Sequence, residues 1–234
     1  MTKIIAHRGA SGLVPFGNTY EAFDAAVAVG CSWVEIDIRR LGDGELVVFH
    51  DAAIGGHPLS SINISQARDV AQQLGFHLPR LGSTLERYRG RLKFDLEFKD
   101  PDCESEVITL ASATLGEEAF VCTSFDEQIV HNLQQIAPSV PGGLLLSTQR
   151  DHPGVPDIFP MRRARQSSCT FVAPYHSLVE AGIMRRMKRL GYPVWVWTVN
   201  EPKRMARMLK LGVDAIITDR PDLALALQER LAVS

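Results

Sequence analysis

The chain has 234 residues, 45% of them hydrophobic, and a formal net charge of -2, which suits one sizeable domain better than two cramped ones. Lysines and arginines scattered through a near-neutral sequence give no nucleic-acid footprint, and the densest basic run, Arg162-Arg163-Ala164-Arg165, reads as a solvated helix face. No apolar run approaches the roughly 20 residues of a membrane span, and Cys31, Cys103, Cys122 and Cys169 are too widely spaced to suggest a zinc knuckle or a disulfide framework.

Short β-branched runs at residues 4–6, 33–38, 46–49, 92–98, 120–123, 143–146, 171–173, 194–198 and 215–218 alternate with longer helical patterns. That alternation predicts repeated βα units around a parallel sheet. The first run begins directly after Met1-Thr2-Lys3, leaving no room for a signal peptide, so with free thiols the expectation is a soluble cytoplasmic protein. The first helix is expected to open at Asn18, which can cap it with Glu21 three residues on, and to bury Phe23, Ala26 and Val27. It should stop at Gly30, and the same join of helix end, glycine and strand recurs at Gly191 and Gly212. Residues 151–156 read as a βα loop.

No GxGxxG or P-loop follows the first strand, which argues against a doubly wound nucleotide-binding sheet. A closed barrel of typically about 250 residues fits the length better. The nine runs are one too many for eight barrel strands, and 46–49 is expected to extend the second βα loop. The predicted fold is therefore α/β, a (β/α)8 TIM barrel, with residues 1–234 as one domain.

On strand 33–38, Glu35 and Asp37 project to one face while Val34, Ile36 and Ile38 project to the other. Asp95, Glu97 and Lys99 repeat the pattern against Leu96 and Phe98. Carboxylates gathered inside a barrel repel one another unless a cation lies between them, so a hard divalent ion, Mg2+ or Ca2+, is expected. The alternative is two surface ion pairs, Glu35 with Arg39 and Glu97 with Lys99. His7-Arg8-Gly9 and His50-Asp51 follow strands directly, where a parallel barrel places its active site. The remaining histidines, His57, His77, His131, His152 and His176, lie in loop-like or helical contexts and receive no role.

These residues resemble the glycerophosphodiester phosphodiesterase family. The matching motifs are His7-Arg8-Gly9, Asn18-Thr19, Glu35-x-Asp37, Asp43-Gly44 before His50-Asp51, Glu97-x-Lys99, Thr198-Val199-Asn200 and Thr218-Asp219-x-Pro221-Asp222. The resemblance implies the phosphodiesterase variant of the TIM barrel, with Glu35, Asp37 and Glu97 as metal ligands. It makes His7 and His50 the acid-base pair, Arg8 and Lys99 the phosphate-binding cations, and Trp197 an aromatic residue at the mouth or a packed barrel side chain. The implied substrate is a small glycerophosphodiester, with no nucleic acid and no stable membrane insertion.

Two positions depart from the family pattern. Phe16-Gly17-Asn18-Thr19 replaces Pro-Glu-Asn-Thr, and Ala53-Ile54-Gly55-Gly56-His57 replaces a Leu-x-Arg-Thr-Thr stretch. Loss of the glutamate at Gly17 implies looser metal binding, which Gly17→Glu is expected to tighten if the backbone there does not need positive φ. The rival readings are a lysophospholipase-D-like or sphingomyelinase-D-like enzyme, and a barrel that binds phosphodiesters without turning them over. Against the first, residues 52–81 offer little lid to bury an acyl chain.

Overall fold

A computed structural model describes residues 1–148 and 160–233. The predicted loop at 151–156 and His152 lie outside them. The strands are β1 (Lys3–His7), β2 (Trp33–Arg40), β3 (Leu46–Val48), β4 (Ala53–Ile54), β5 (His57–Pro58), β6 (Lys93–Phe98), β7 (Phe120–Ser124), β8 (Gly142–Leu146), β9 (Phe171–Pro174), β10 (Trp195–Val196) and β11 (Ala215–Thr218). The helices are α1 (Tyr20–Ala28), α2 (Ile64–Gln73), α3 (Leu81–Tyr88), α4 (Glu104–Leu115), α5 (Glu127–Ile136), α6 (Pro160–Gln166), α7 (Ala181–Arg189), α8 (Pro202–Leu211) and α9 (Pro221–Val233).

Eight strands run parallel in the order β10-β11-β1-β2-β6-β7-β8-β9. Parallel bridges Val172 to Val194 and Tyr175 to Trp197 bring the two ends together, so the sheet closes into the expected (β/α)8 barrel. As anticipated, residues 46–49 add no barrel strand: β3 folds back antiparallel on the end of β2, pairing Val48 with Ile38 and Leu46 with Arg40. Residues 41–80 then form a small insertion of the β4–β5 hairpin and α2, with its own apolar cluster of Leu41, Val47, Ile54, Leu59 and Leu78.

Period-two alternation sorts the barrel strands into two environments. Val34, Ile36, Ile38, Leu96 and Phe98 face outward and pack with Phe23, Leu85 and Tyr88 of the helices. Ile5, Val121, Leu145, Phe171, Trp195 and Ile217 fill the interior and form its apolar plug. In the glycine joins, Gly30, Gly191 and Gly212 have φ of +79, +78 and +67, the left-handed values expected after a helix end. Among the described residues no helix is long and apolar enough to cross a membrane, and all four cysteines are free and buried.

Two local expectations are corrected. Helix α1 is capped by Thr19, whose Oγ1 accepts from Ala22 N at 3.3 Å, because Asn18 has φ +57 and turns its side chain into the barrel mouth. Within the basic run Arg162 and Arg165 are exposed, but Arg163 is buried and donates to Phe125 O at 2.7 Å and to Glu127 Oε2 at 3.2 Å.

The interior plug has no slack at β8. A Cβ added at Gly143 would lie 2.3 Å from the ring carbons of Phe171, whose centroid is already 4.3 Å from that of Trp195. Gly143→Ala is therefore expected to lower unfolding free energy by about 1–3 kcal/mol through overpacking. Urea unfolding of the two proteins checks this, and equal midpoints would show that Phe171 can move aside.

Candidate active site

The mouth is built by register. His7 on β1 lies beside Glu35 on β2, Glu35 beside Asp95 on β6, and Asp37 beside Glu97, which itself neighbours Thr123 on β7. Three adjacent strands thus turn their alternate residues into one space at the carboxyl ends. Glu35, Asp37 and Glu97 are buried, and each offers an oxygen within 4.8 Å of the others.

Cations and amide hydrogens surround this acidic group. Lys99 Nζ lies 2.9 Å from Asp37 Oδ1 and also bonds Glu97 Oε1, while Arg8 Nε is 3.2 Å from Asp37 Oδ2. Arg8 N donates to Glu35 Oε2 at 2.9 Å, and Asn18 Nδ2 donates to Asp37 Oδ2 at 2.7 Å. The alternative of separate surface pairs fails: Arg39 reaches not Glu35 but Asp100 Oδ1 at 2.5 Å and the His50 carbonyl at 3.0 Å. Lys99 does pair with Glu97, yet as a buried bridge to Asp37.

Burial and charge set the proton affinities. Burial opposes ionisation of Asp37, but Lys99, Arg8 and His50 outweigh it and hold the carboxyl well below the usual range. Burial, helped by Asp37 and Glu97, pushes Glu35 well above its ordinary value, and its Oε1 has no hydrogen-bond partner. Burial would lower Lys99, but Glu97 and Asp37 raise it instead. Asp95, in register with Glu35 and fully enclosed, is pushed up to about 8 by burial despite the 2.7 Å bond from Thr123 Oγ1, so it is mostly protonated at neutral pH. Three hard oxygen donors, one of them orphaned and resisting ionisation, fit a divalent ion that would supply the missing positive charge.

The two histidines come from different parts of the fold, the end of β1 and the loop after β3, and each has its Nδ1 against an aspartate. His7 Nδ1 is 2.6 Å from Asp219 Oδ1, with its Nε2 3.8 Å from Glu35 Oε2. His50 Nδ1 is 2.7 Å from Asp51 Oδ1, and burial holds its pKa below the ordinary value although Asp37 pulls the other way. Trp197 is packed rather than free: its Nε1 donates to Ala173 O at 2.6 Å, and its ring meets Phe125 and Tyr175 edge-on at 5.3 and 5.1 Å. Phe125 connects it to the mouth, because Lys99 Nζ sits 5.8 Å from that ring.

The family pattern of glycerophosphoryl diester phosphodiesterases matches residues 7–66 and 85–223. The chain belongs to this family. A glycerophosphodiester phosphodiesterase of Caldanaerobacter subterraneus subsp. tengcongensis is 27% identical over 239 residues, 94% of this chain and 95% of the relative. The crystal structure of a glycerophosphodiester phosphodiesterase from Agrobacterium tumefaciens aligns with a TM-score of 0.78 at 26% identity, over 97% of this chain and 100% of that one. A phosphodiesterase of Oleispira antarctica, solved with the product sn-glycerol-3-phosphate, shares the fold with a TM-score of 0.82 at 22% identity, over 98% and 97% of the two chains.

Against the family motif, position 17 is closed by packing rather than by backbone. Gly17 does not have positive φ, but an added Cβ would lie 2.9 Å from Arg8 Cβ and 3.1 Å from Ser11 Cβ. Gly17→Glu must therefore displace Arg8, whose amide holds Glu35, and is not the simple charge addition expected from sequence. Asp219, Phe125 and Tyr175 also belong to the site, although no role for them is visible in the sequence. The closing Thr218-Asp219 motif was visible, but only the fold carries it across the barrel seam to His7.

Asp219 is fixed by Ser11 Oγ at 2.9 Å and Asn200 Nδ2 at 2.5 Å as well as by His7. Burial would raise its pKa, yet these bonds, His7 foremost, lower it to about 2. A depressed carboxyl contributes stability present above the unfolded value of roughly 3.9 and lost as pH falls through the folded value. Asp219→Asn is therefore expected to flatten the fall in stability between about pH 4 and about pH 2. Urea midpoints across that range test it; parallel curves for the two proteins would remove Asp219 from the acid response.

Proposed function

We propose that residues 1–234 form one catalytic domain that hydrolyses small glycerophosphodiesters to glycerol phosphate and an alcohol, using Mg2+ or Ca2+. The observation that supports this most is the grouping of Glu35, Asp37 and Glu97 with Arg8 and Lys99 at a mouth flanked by two aspartate-held histidines. Glu35, Asp37 and Glu97 would hold the ion, which supplies Lewis-acid charge against the phosphate oxygens.

A phosphodiester resists attack because its oxygens are already negative, and its leaving alkoxide is poor. Arg8 and Lys99 bind the phosphate and offset charge that builds on its oxygens. Of His7 and His50, one takes the proton from the attacking hydroxyl or water, and the other gives a proton to the leaving oxygen. Asp219 and Asp51 each bond Nδ1 of one ring, which leaves Nε2 as the working atom in both. Phe125 stands beside Lys99 with Trp197 and then Tyr175 packed edge-on behind it, an aromatic wall that would limit water there.

The small substrate class is favoured by the insertion. Most of its apolar side chains, Leu41, Val47, Ile54, Leu59 and Leu78 among them, are buried in its own core, which leaves few to receive an acyl chain. Release of glycerol phosphate from glycerophosphocholine is expected with added Mg2+ or Ca2+, to be abolished by excess EDTA, and to exceed turnover of lysophosphatidylcholine in kcat/KM. Full activity in EDTA would remove the metal from the reading, and preference for the lysolipid would move the substrate to the lipid class. In the same assay His7→Ala and His50→Ala are each expected to lower kcat by about 10²–10⁴-fold while unfolding normally. Near-normal kcat in either would take that residue out of the proton transfers.

A further inference from the structure

Positive charge is concentrated in one stretch of the chain, whose two most basic helices the fold places on one flank. Residues 160–214 hold eleven lysines and arginines against Glu180, Glu201 and Asp214, a net +8 in a chain of -2, so the rest of the protein carries -10. Helix α7 contributes Arg185, Arg186, Lys188 and Arg189, and α8 contributes Lys203, Arg204, Arg207 and Lys210, with no acidic residue on either helix. The strands these helices connect, β9, β10 and β11, are consecutive around the barrel, which makes α7 and α8 neighbours on its outer ring. Their carboxyl ends meet, since a Cβ added at Gly212 would lie 3.3 Å from Lys188 Nζ.

Among the described residues none of these eight cations forms an ion pair, although the chain forms such pairs elsewhere. Seven are exposed and Arg204 is half-buried. Arg185 and Arg189 stand four apart on one helix, a like-charge arrangement that opposes the helix it sits on. Ile183 and Leu190, 39% and 40% exposed, lie among them, while only Met184 and Met187 anchor α7 to the core. Gly182, Arg185, Lys188 and Arg189 line an open depression of about 460 Å3.

We infer that the α7–α8 flank is a peripheral docking surface for an anionic lipid bilayer. Unpaired guanidinium and ammonium groups meet headgroup phosphates, and the two aliphatic side chains enter the interface between them. A nucleic acid fits less well, because the flank exposes aliphatic groups and no large aromatic ring on which bases would stack. The flank belongs to the outer helices rather than to the strand ends, so docking leaves the mouth open to soluble substrate.

Sedimentation of the full chain with phosphatidylglycerol-containing vesicles, with pure phosphatidylcholine vesicles, and gel shift with duplex DNA and RNA at matched ionic strength test this. Binding is expected to the anionic vesicles alone, to weaken with salt, and to fall roughly fivefold for each cation removed in Arg185→Gln and Arg189→Gln. Ile183→Ser with Leu190→Ser should weaken it without changing its salt dependence. Circular dichroism confirms folding, and Arg207→Gln with Lys210→Gln serves if the α7 variants fail to fold. No vesicle binding, equal binding to both vesicle types, or tighter binding to DNA or RNA would overturn the inference.

Discussion

Mutual repulsion among Glu35, Asp37 and Glu97 is the constraint around which the mouth is organised. Three carboxylates that approach within 4.8 Å inside a buried space cannot all ionise without compensation. The chain compensates only in part. Lys99 and Arg8 keep Asp37 ionised, and Asn18 and the Arg8 amide bond the outer oxygens, yet Glu35 still has an orphaned atom and a raised pKa. Asp95 beside Glu35 has its pKa raised to about 8, chiefly by burial, which favours its neutral form. The remaining deficit of positive charge is what supports the proposal that a cation, and through it a phosphodiester, is held there.

Such a cluster needs rigid support. The apolar plug beneath it, from Ile5 to Trp195, closes the barrel to water, and the outward faces of β2 and β6 lock the same strands against the helices. The His50 loop is tied down separately. Arg39 donates to the His50 carbonyl and to Asp100, and Asp100 also accepts from Arg40 N at 2.9 Å. That bridge joins the ends of β2 and β6 to the loop between β3 and β4, so His50 is positioned from the same two strands that carry the carboxylates. His7 is positioned from the other side, where Asp219, Ser11 and Asn200 meet across the β1–β11 seam.

By itself the sequence determined the alternation. A spacing of two from Glu35 to Asp37, and again from Asp95 to Glu97 to Lys99, forces charge to one side of a strand and apolar groups to the other, whatever the fold around them. Glycines at 30, 191 and 212 determined where helices end, because few other residues accept the left-handed backbone. The motif set His7, Arg8, Glu35, Asp37, His50, Glu97 and Lys99 was legible for the same reason: strand ends in a parallel barrel converge, so residues that follow strands become neighbours. What only the tertiary structure decided are the contacts made across the ring. Asn18 looked like a helix cap until its positive φ released the side chain to Asp37 and left the cap to Thr19. Asp219 reaches His7 from 212 residues away. Arg163 of α6 left the solvated face for Glu127 and Phe125 O, while the lysines and arginines of α7 and α8 came to lie on one flank. Local spacing fixes which way a side chain points from its own element, but the partner it meets depends on which elements the closed barrel places side by side.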